Sequence, residues 1–334
     1  MEGPLMRRAV VIRAFGPPSG FALEEHDPGA PGPGKVRIAI RAAGISYVDV
    51  LVAAGLYQLK PRLPFVPGSE FSGVIEAVGQ GVDPTRIGER VLGSAFGAAI
   101  GEACVIPAKL ALPIPDAMDF VTASVFRVSY ATAYHALVQR ARLQVGETVC
   151  VLGAGGAVGY AAVEVAKALG AKVIGSASTP EKRALATQGG ADAVIDAASP
   201  TWREDLKAAN DGKPVDVIVD PVGGTATEPA FRSLAWNGRH LVIGFAGGAI
   251  PKLPVNLALL KGASLIGVDV RQFGDYERDL SDANVQALLT LFAQDKLHPS
   301  IARTYPIEDF VAAMEEAQRG VTAGRIVITM GALT

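Results

Sequence analysis

The sequence predicts an α/β fold in two parts, a curled barrel-like β domain and a doubly wound parallel sheet. The chain has 334 residues, more than one hydrophobic core comfortably supports. Its first part runs as short apolar strands between Gly/Pro-rich turns. From near residue 121 the pattern changes, and short β-branched strands alternate with helical stretches.

Taken in order, the early strands are expected at 8–14, 36–42, 71–78 and 90–93, with the run 28–45 a loop feeding a strand. A helical stretch through 134–139 leads to strand 147–153 and a helix over 160–170, which Gly170 should end as a left-handed cap. Strands AKVIGSA, AVID, VDVIVD and RHLVIGF then alternate with helices EKRALATQG, WREDLKAAN and ATEPAFRSLA. The last strand of the series, 264–270, is an apolar edge expected to pair two copies by sheet extension. Beyond it come helices at 282–294 and 307–318 and a strand at 324–330, whose return completes the first domain. The expected boundaries are 1–126 with 271–334 for the β domain, and 127–270 for the parallel sheet.

Composition removes several function classes. The 31 basic and 33 acidic residues leave a net charge of −2, so no electrostatic footprint for nucleic acid or an anionic membrane is visible. Only Cys104 and Cys150 occur, too few for a disulfide framework or a structural zinc site, and Cys150 sits in an apolar run as a small hydrophobe. The apolar stretch among Arg7, Arg8 and Arg13 is too short for a signal core, and the uncharged run 148–163 is too short and too glycine-rich to span a membrane. The expected compartment is the cytoplasm. Met6 opens a start of its own, so residues 1–5 read as a leader or as a non-native addition.

The chemistry sits in the run 149–159. A strand, VCVLG, enters Ala154-Gly155-Gly156-Ala157-Val158-Gly159 and then a helix, the context in which a glycine fingerprint has meaning. A pyrophosphate needs backbone N–H donors at a helix N-terminus and close backbone approach. Gly156 would give that access, and Gly159 would let the helix pack on the strand. NAD requires an acid about 20 residues further on, for its ribose hydroxyl. Ala177 fills that slot, between Ser176 and Ser178, with Lys182 and Arg183 in the next turn. Hydroxyls and a cation suit a 2′-phosphate, so the expected cofactor is NADPH. Two later strand ends, at Val222 and at Gly244, Phe245 and Ala246, run into Gly-rich loops at the carboxyl edge and are read as cofactor contacts.

Several strings in order, AAGISYVDVLVAAGLY, PFVPGSEFSGVIEAVG, SYATAYHAL, LGAGGAVG, VDPVGG, RSLAWNGRHLVIGFAGG and GRIVIT, resemble the zinc-free NADPH:quinone oxidoreductase (zeta-crystallin-like) branch of the medium-chain dehydrogenase/reductases. The resemblance runs from about Met6 to the C-terminal strand. It implies a GroES-like catalytic domain, an inserted Rossmann domain, a cleft between them as active site, and a homodimer or homotetramer. Where the zinc enzymes of that superfamily carry a Cys and a His ligand, this chain has Ser46 and Ser69, so no metal is expected. Glu70 remains from the metal-site motif as a structural residue, and Asp49 is given a local turn role ahead of one that caps or orients the same loop. The resemblance places Tyr57 and Ser46 in the substrate cleft and Thr132 against the nicotinamide. Ser46, Leu51 and Ala197 depart from residues found in relatives. His135 is read as a helix-surface or interdomain histidine.

The expected activity is zinc-independent hydride transfer from NADPH to a quinone or similar conjugated carbonyl. Reduction of the C=C bond of an enone, alkenal or enoyl thioester is the alternative on the same cofactor. A non-catalytic NADPH-binding protein with a structural or RNA-binding role is the alternative from another class.

Overall fold

The computed structural model describes residues 6–331; the leader expected at 1–5 lies outside them. In the first part of the chain, strand Lys35–Ile45 buries Val36, Ile38 and Ile40 at every second position, the period of a strand. Its pairing with Glu70–Val78 slips twice, between Arg37 and Ile38 and between Ile40 and Ala42. Such irregularities bend a strand. This one pairs with Ala103–Pro107 along its first half and with Arg325–Thr329 along its second. The sheet continues through Arg90–Ser94 to Ala111–Pro113 on one side and to Ile301–Pro306 on the other. The C-terminal strand therefore does return to the first sheet. Around them Phe71, Ile75, Ile100, Ile106, Phe310 and Met314 form one core.

The second part is a six-stranded parallel sheet in the order Ala193–Asp196, Lys172–Ala177, Thr148–Leu152, Val215–Asp220, Leu234–Val242, Ser264–Gly267. The order runs outward one way from Thr148–Leu152 and then reverses. The switch point lies between that strand and Val215–Asp220, the place where open α/β sheets bind ligands. Cys150, Ile174, Ile218 and Phe231 fill the core on one face, so Cys150 is the buried hydrophobe expected of it.

Two expectations are corrected here. The edge strand stops at Gly267 rather than 270, because Asp269 accepts the N–H groups of Arg271 and Gln272 and starts helix Val270–Tyr276. The chain also stays in the second unit until His298, so residues 271–298 belong with the parallel sheet and not with the β domain. Packing explains it. His135 stacks on Phe273 with ring centroids 3.8 Å apart, and Gln139 exchanges amide hydrogen bonds of 2.9 and 3.0 Å with Asn284 on helix Arg278–Ala293. His135 is thus buried inside the second unit rather than on a helix surface. Residues Ala136–Arg140, just after it, wind as a π-helix.

Helix Ala157–Ala168 carries a buried carboxylate, Glu164, which accepts from the Tyr130 hydroxyl, from Tyr160 Oη at 3.2 Å and from the His298 N–H at 2.9 Å. Burial pushes the Glu164 carboxyl up, against the pull of those donors and of the His298 ring. A raised folded-state pKa gives stability that is complete below the ordinary carboxyl range and lost as pH rises through the folded value. Glu164→Gln should therefore gain in thermal midpoint relative to wild type as pH is raised above about 4. A difference that stays constant with pH would contradict this account.

Candidate functional site

Strand Thr148–Leu152 ends in Gly153, whose φ of 62° turns the chain sharply; a Cβ there would lie 2.9 Å from Val222 Cγ2. The two strands flanking the switch point thus touch through their loops. Gly156 is the N-cap of helix Ala157–Ala168, and it has no side chain to cap the helix. Its first N–H groups are those of Ala157, Val158 and Gly159, as the fingerprint requires. The expected start at residue 160 was three residues late, since Val158 and Gly159 already lie in the helix.

The three glycines have separate reasons. A Cβ on Gly159 would stand 2.1 Å from the Gly153 carbonyl oxygen, so helix and turn pack backbone to backbone. A Cβ on Gly155 would stand 2.5 Å from Lys182 Cβ, so the fingerprint loop receives the first turn of helix Pro180–Gln188. At Gly156 a Cβ would meet only the Gly153 oxygen, at 3.3 Å, leaving the helix terminus open on its outer side. An anionic group fits such a cradle. Ala154, read with the fingerprint as a cofactor contact, has its side chain fully buried and its N–H donated to the Ser176 carbonyl at 3.0 Å.

The specificity segment is also redistributed. Ser176 is 1 % exposed, and its hydroxyl accepts from Trp202 Nε1 at 2.9 Å. It points to the face that carries Ile174 and Trp202, and so clamps helix Trp202–Ala209 instead of facing a ligand. Ser178 is exposed. Thr179 caps the next helix by accepting from the Lys182 N–H at 3.3 Å. Arg183 is held by the Ala177 carbonyl at 3.1 Å and by Asp196 at 3.2 Å. Lys182 is half-buried against the fingerprint loop, and burial lowers its ammonium pKa.

On the other side of the switch point, Asp220 closes strand Val215–Asp220. It is buried, and all its bonding capacity is used: Oδ1 accepts from the N–H groups of Val222 at 3.0 Å and Gly223 at 2.7 Å. Oδ2 accepts from the Thr227 hydroxyl at 2.8 Å and lies 2.9 Å from His240 Nε2. Burial works to raise its pKa, but His240, the Gly223 N–H and Thr227 together hold it below the usual carboxylate range. Val222 and the Gly244–Ala246 segment are brought together there, with the Ala246 N–H donated to the Pro221 carbonyl at 3.1 Å. Sequence reasoning passed over Gly153, Asp220 and Trp202; the left-handed turn implied by Gly153 was the one available signal.

Thr132 is buried on helix Arg127–His135. Tyr57, half-buried, sits in a bend of the first unit beyond helix Tyr47–Ala53. Ser46 is the N-cap of that helix, in a capping box with Asp49: its N–H and hydroxyl donate to Asp49 Oδ2 at 2.8 and 2.6 Å, and its oxygen accepts the Asp49 N–H at 3.3 Å. Its hydroxyl serves the helix N-terminus, and Asp49 is a cap rather than a local turn residue. Glu70 is structural as expected, paired with Arg325 at 2.6 Å and accepting the Val128 N–H at 3.0 Å. Among the described residues no three His, Cys, Asp or Glu side chains converge closely enough to hold a metal.

Two family models match the chain: the alcohol dehydrogenase GroES-like domain over residues 32–116 and the zinc-binding dehydrogenase domain over 157–284. A quinone oxidoreductase-like protein 2 homolog from Nematostella vectensis is 37% identical over 300 residues, 89% of this chain and 82% of that protein. The chain belongs to the quinone oxidoreductase branch of the medium-chain dehydrogenase/reductases. Human quinone oxidoreductase, another member, is 31% identical over 98% of this chain and 99% of its own. A mycobacterial member solved in complex with NADPH superposes with a TM-score of 0.88 at 27% identity, covering 96% of this chain and 99% of that one. In this family's terms, the first sheet is the GroES-like part and the parallel sheet the Rossmann-like part.

Proposed function

We propose that the chain is an NADPH-dependent reductase of quinones or similar conjugated carbonyls that works without zinc. The observation that carries the reading is the open helix terminus at Gly156, with Lys182 packed onto the adjoining Gly155. Together they offer backbone donors for a pyrophosphate and a cation for a 2′-phosphate. When bound, NADPH supplies the hydride. The chain's own part is to hold the nucleotide by residues 156–159 and 182, to orient its far end with Val222 and the Gly244–Ala246 loop, and to exclude water. The proton that balances the hydride comes from water or a tyrosine hydroxyl.

Ser46 and Ser69 argue for zinc independence, because neutral hydroxyls are poor zinc ligands and Ser46 is committed to its helix cap. Activity that survives chelation, with no stoichiometric zinc by metal analysis, is the expected result; one equivalent resisting chelation would overturn it. Following NADPH absorbance over a panel of quinones and enones, with products identified, tests the substrate class. Quinol formation supports the reading, and a saturated ketone as the main product would replace it by C=C reduction.

No helix among the described residues is long and apolar enough to cross a membrane. The two buried unpaired thiols favour the reducing cytoplasm. A homodimer formed at strand Ser264–Gly267 is the assembly we favour: the strand is the sheet's edge, and Val255, Leu259, Leu260 and Leu265 on and just before it are exposed. Light scattering should show a dimer that Leu265→Lys weakens, and a wild-type monomer would count against the assembly.

A further inference from the structure

We propose that Asp220 is the positioning residue of the nucleotide crevice, fixing both loops on its far side through the N–H groups of Val222 and Gly223. The proposal rests on the NADPH reading above and adds a residue to it. Asp220 is a charged group set beside an apolar core of Cys150, Ile218 and Phe231, where an aliphatic side chain would suit packing better. What it satisfies is the loop. Two of its four bonds go to consecutive backbone N–H groups, and the other two, from Thr227 and His240, hold the carboxylate itself.

His240 shows the direction of the arrangement. Its ring is fully buried, its Nε2 meets Asp220, and its Nδ1 has no hydrogen-bond partner among the described residues. A buried imidazole with one nitrogen unsatisfied is placed for a single bond, the one to Asp220.

The second loop hangs on the first. Ile243 donates to the Asp220 carbonyl at 3.0 Å, Ala246 to Pro221 at 3.1 Å and Gly247 to Val222 at 2.8 Å, while Gly224 donates back to Ala249 at 3.0 Å. Gly223, at φ 68°, approaches the Phe245 ring so closely that a Cβ would lie 2.7 Å from it. The carboxylate thus holds the Val222–Gly223 turn directly, and the Gly244–Ala246 loop through that turn's backbone. Turning or neutralising that carboxylate moves both.

The test is titration calorimetry with NADPH, together with kcat at saturating NADPH, on wild type, Asp220→Asn and Thr227→Val. An asparagine that turns its NH2 to the loop leaves two backbone N–H groups unpaired, and one that keeps its oxygen there pairs with His240 Nε2 only in the Nδ1-protonated tautomer, which buries an unpaired N–H. The expected loss is about ten-fold in Kd, the size of one unpaired buried donor, with a fall in kcat. Thr227→Val removes one bond and should cost about three-fold. A purely structural Asp220 would lower the thermal midpoint and leave Kd and kcat unchanged, and that result overturns the proposal. Should Asp220→Asn be insoluble, Thr227→Val decides, and an unchanged Kd overturns it. A wild type that binds no nicotinamide nucleotide overturns the functional reading and this proposal together; binding by wild type with equal binding by Asp220→Asn overturns the proposal alone.

Discussion

Gly159→Ala is expected to abolish NADPH binding at any workable concentration and to lower stability by about 3 kcal/mol, the upper range for overpacking. A methyl at that position would stand 2.1 Å from the Gly153 oxygen and 2.7 Å from its carbonyl carbon. Both are backbone atoms, so no rotamer change relieves the contact. Helix Ala157–Ala168 must shift away from the turn, taking the N–H groups of residues 157–159 with it. Gly156→Ala makes a useful contrast. Its methyl meets only one backbone oxygen, at 3.3 Å, so the fold should tolerate it while the ligand side is narrowed. Thermal melts and NADPH titrations of the two variants check the distinction. Equal stability losses would contradict the separate roles given to the two glycines.

Lys182→Ala should raise the Kd for NADPH by about 30-fold and leave NADH within about two-fold, because a charge-assisted hydrogen bond contributes about 2 kcal/mol. The side chain stands where the first turn of helix Pro180–Gln188 meets Gly155, and Arg183 beside it is already tied to Ala177 and Asp196. Equal loss for both nucleotides in Lys182→Ala would place the 2′-phosphate elsewhere.

What the sequence made legible is local. A strand, a glycine turn and a helix occupy adjacent positions, so the fingerprint could be read from residues 149–159, and Gly170 marked its helix end because a left-handed φ of 84° is needed there. The alternation of strands and helices carried the parallel sheet for the same reason. What was missed depends on which face a side chain takes and on distant contacts. A parallel strand buried on both faces has no polar alternation to show that Ser176 turns toward Trp202 and not toward a ligand. The boundary at 271 failed because the pairs His135–Phe273 and Gln139–Asn284 lie more than a hundred residues apart in sequence. The capping role of Ser46 was legible but unread: the acid three residues on, Asp49, is the mark of a capping box. Asp220 reads as an ordinary strand-end acid until its four partners are seen together.

The account's central claim is that the crevice beside Gly156 takes NADPH for hydride transfer to a conjugated carbonyl. The most direct measurement is the rate of NADPH oxidation by the purified chain with a small quinone and a chelator present, compared with NADH under the same conditions. The account predicts one quinol formed per NADPH oxidised, undiminished by the chelator and at least about ten-fold faster than with NADH at low nucleotide concentration. Tight NADPH binding with no oxidation by any quinone or enone would contradict it.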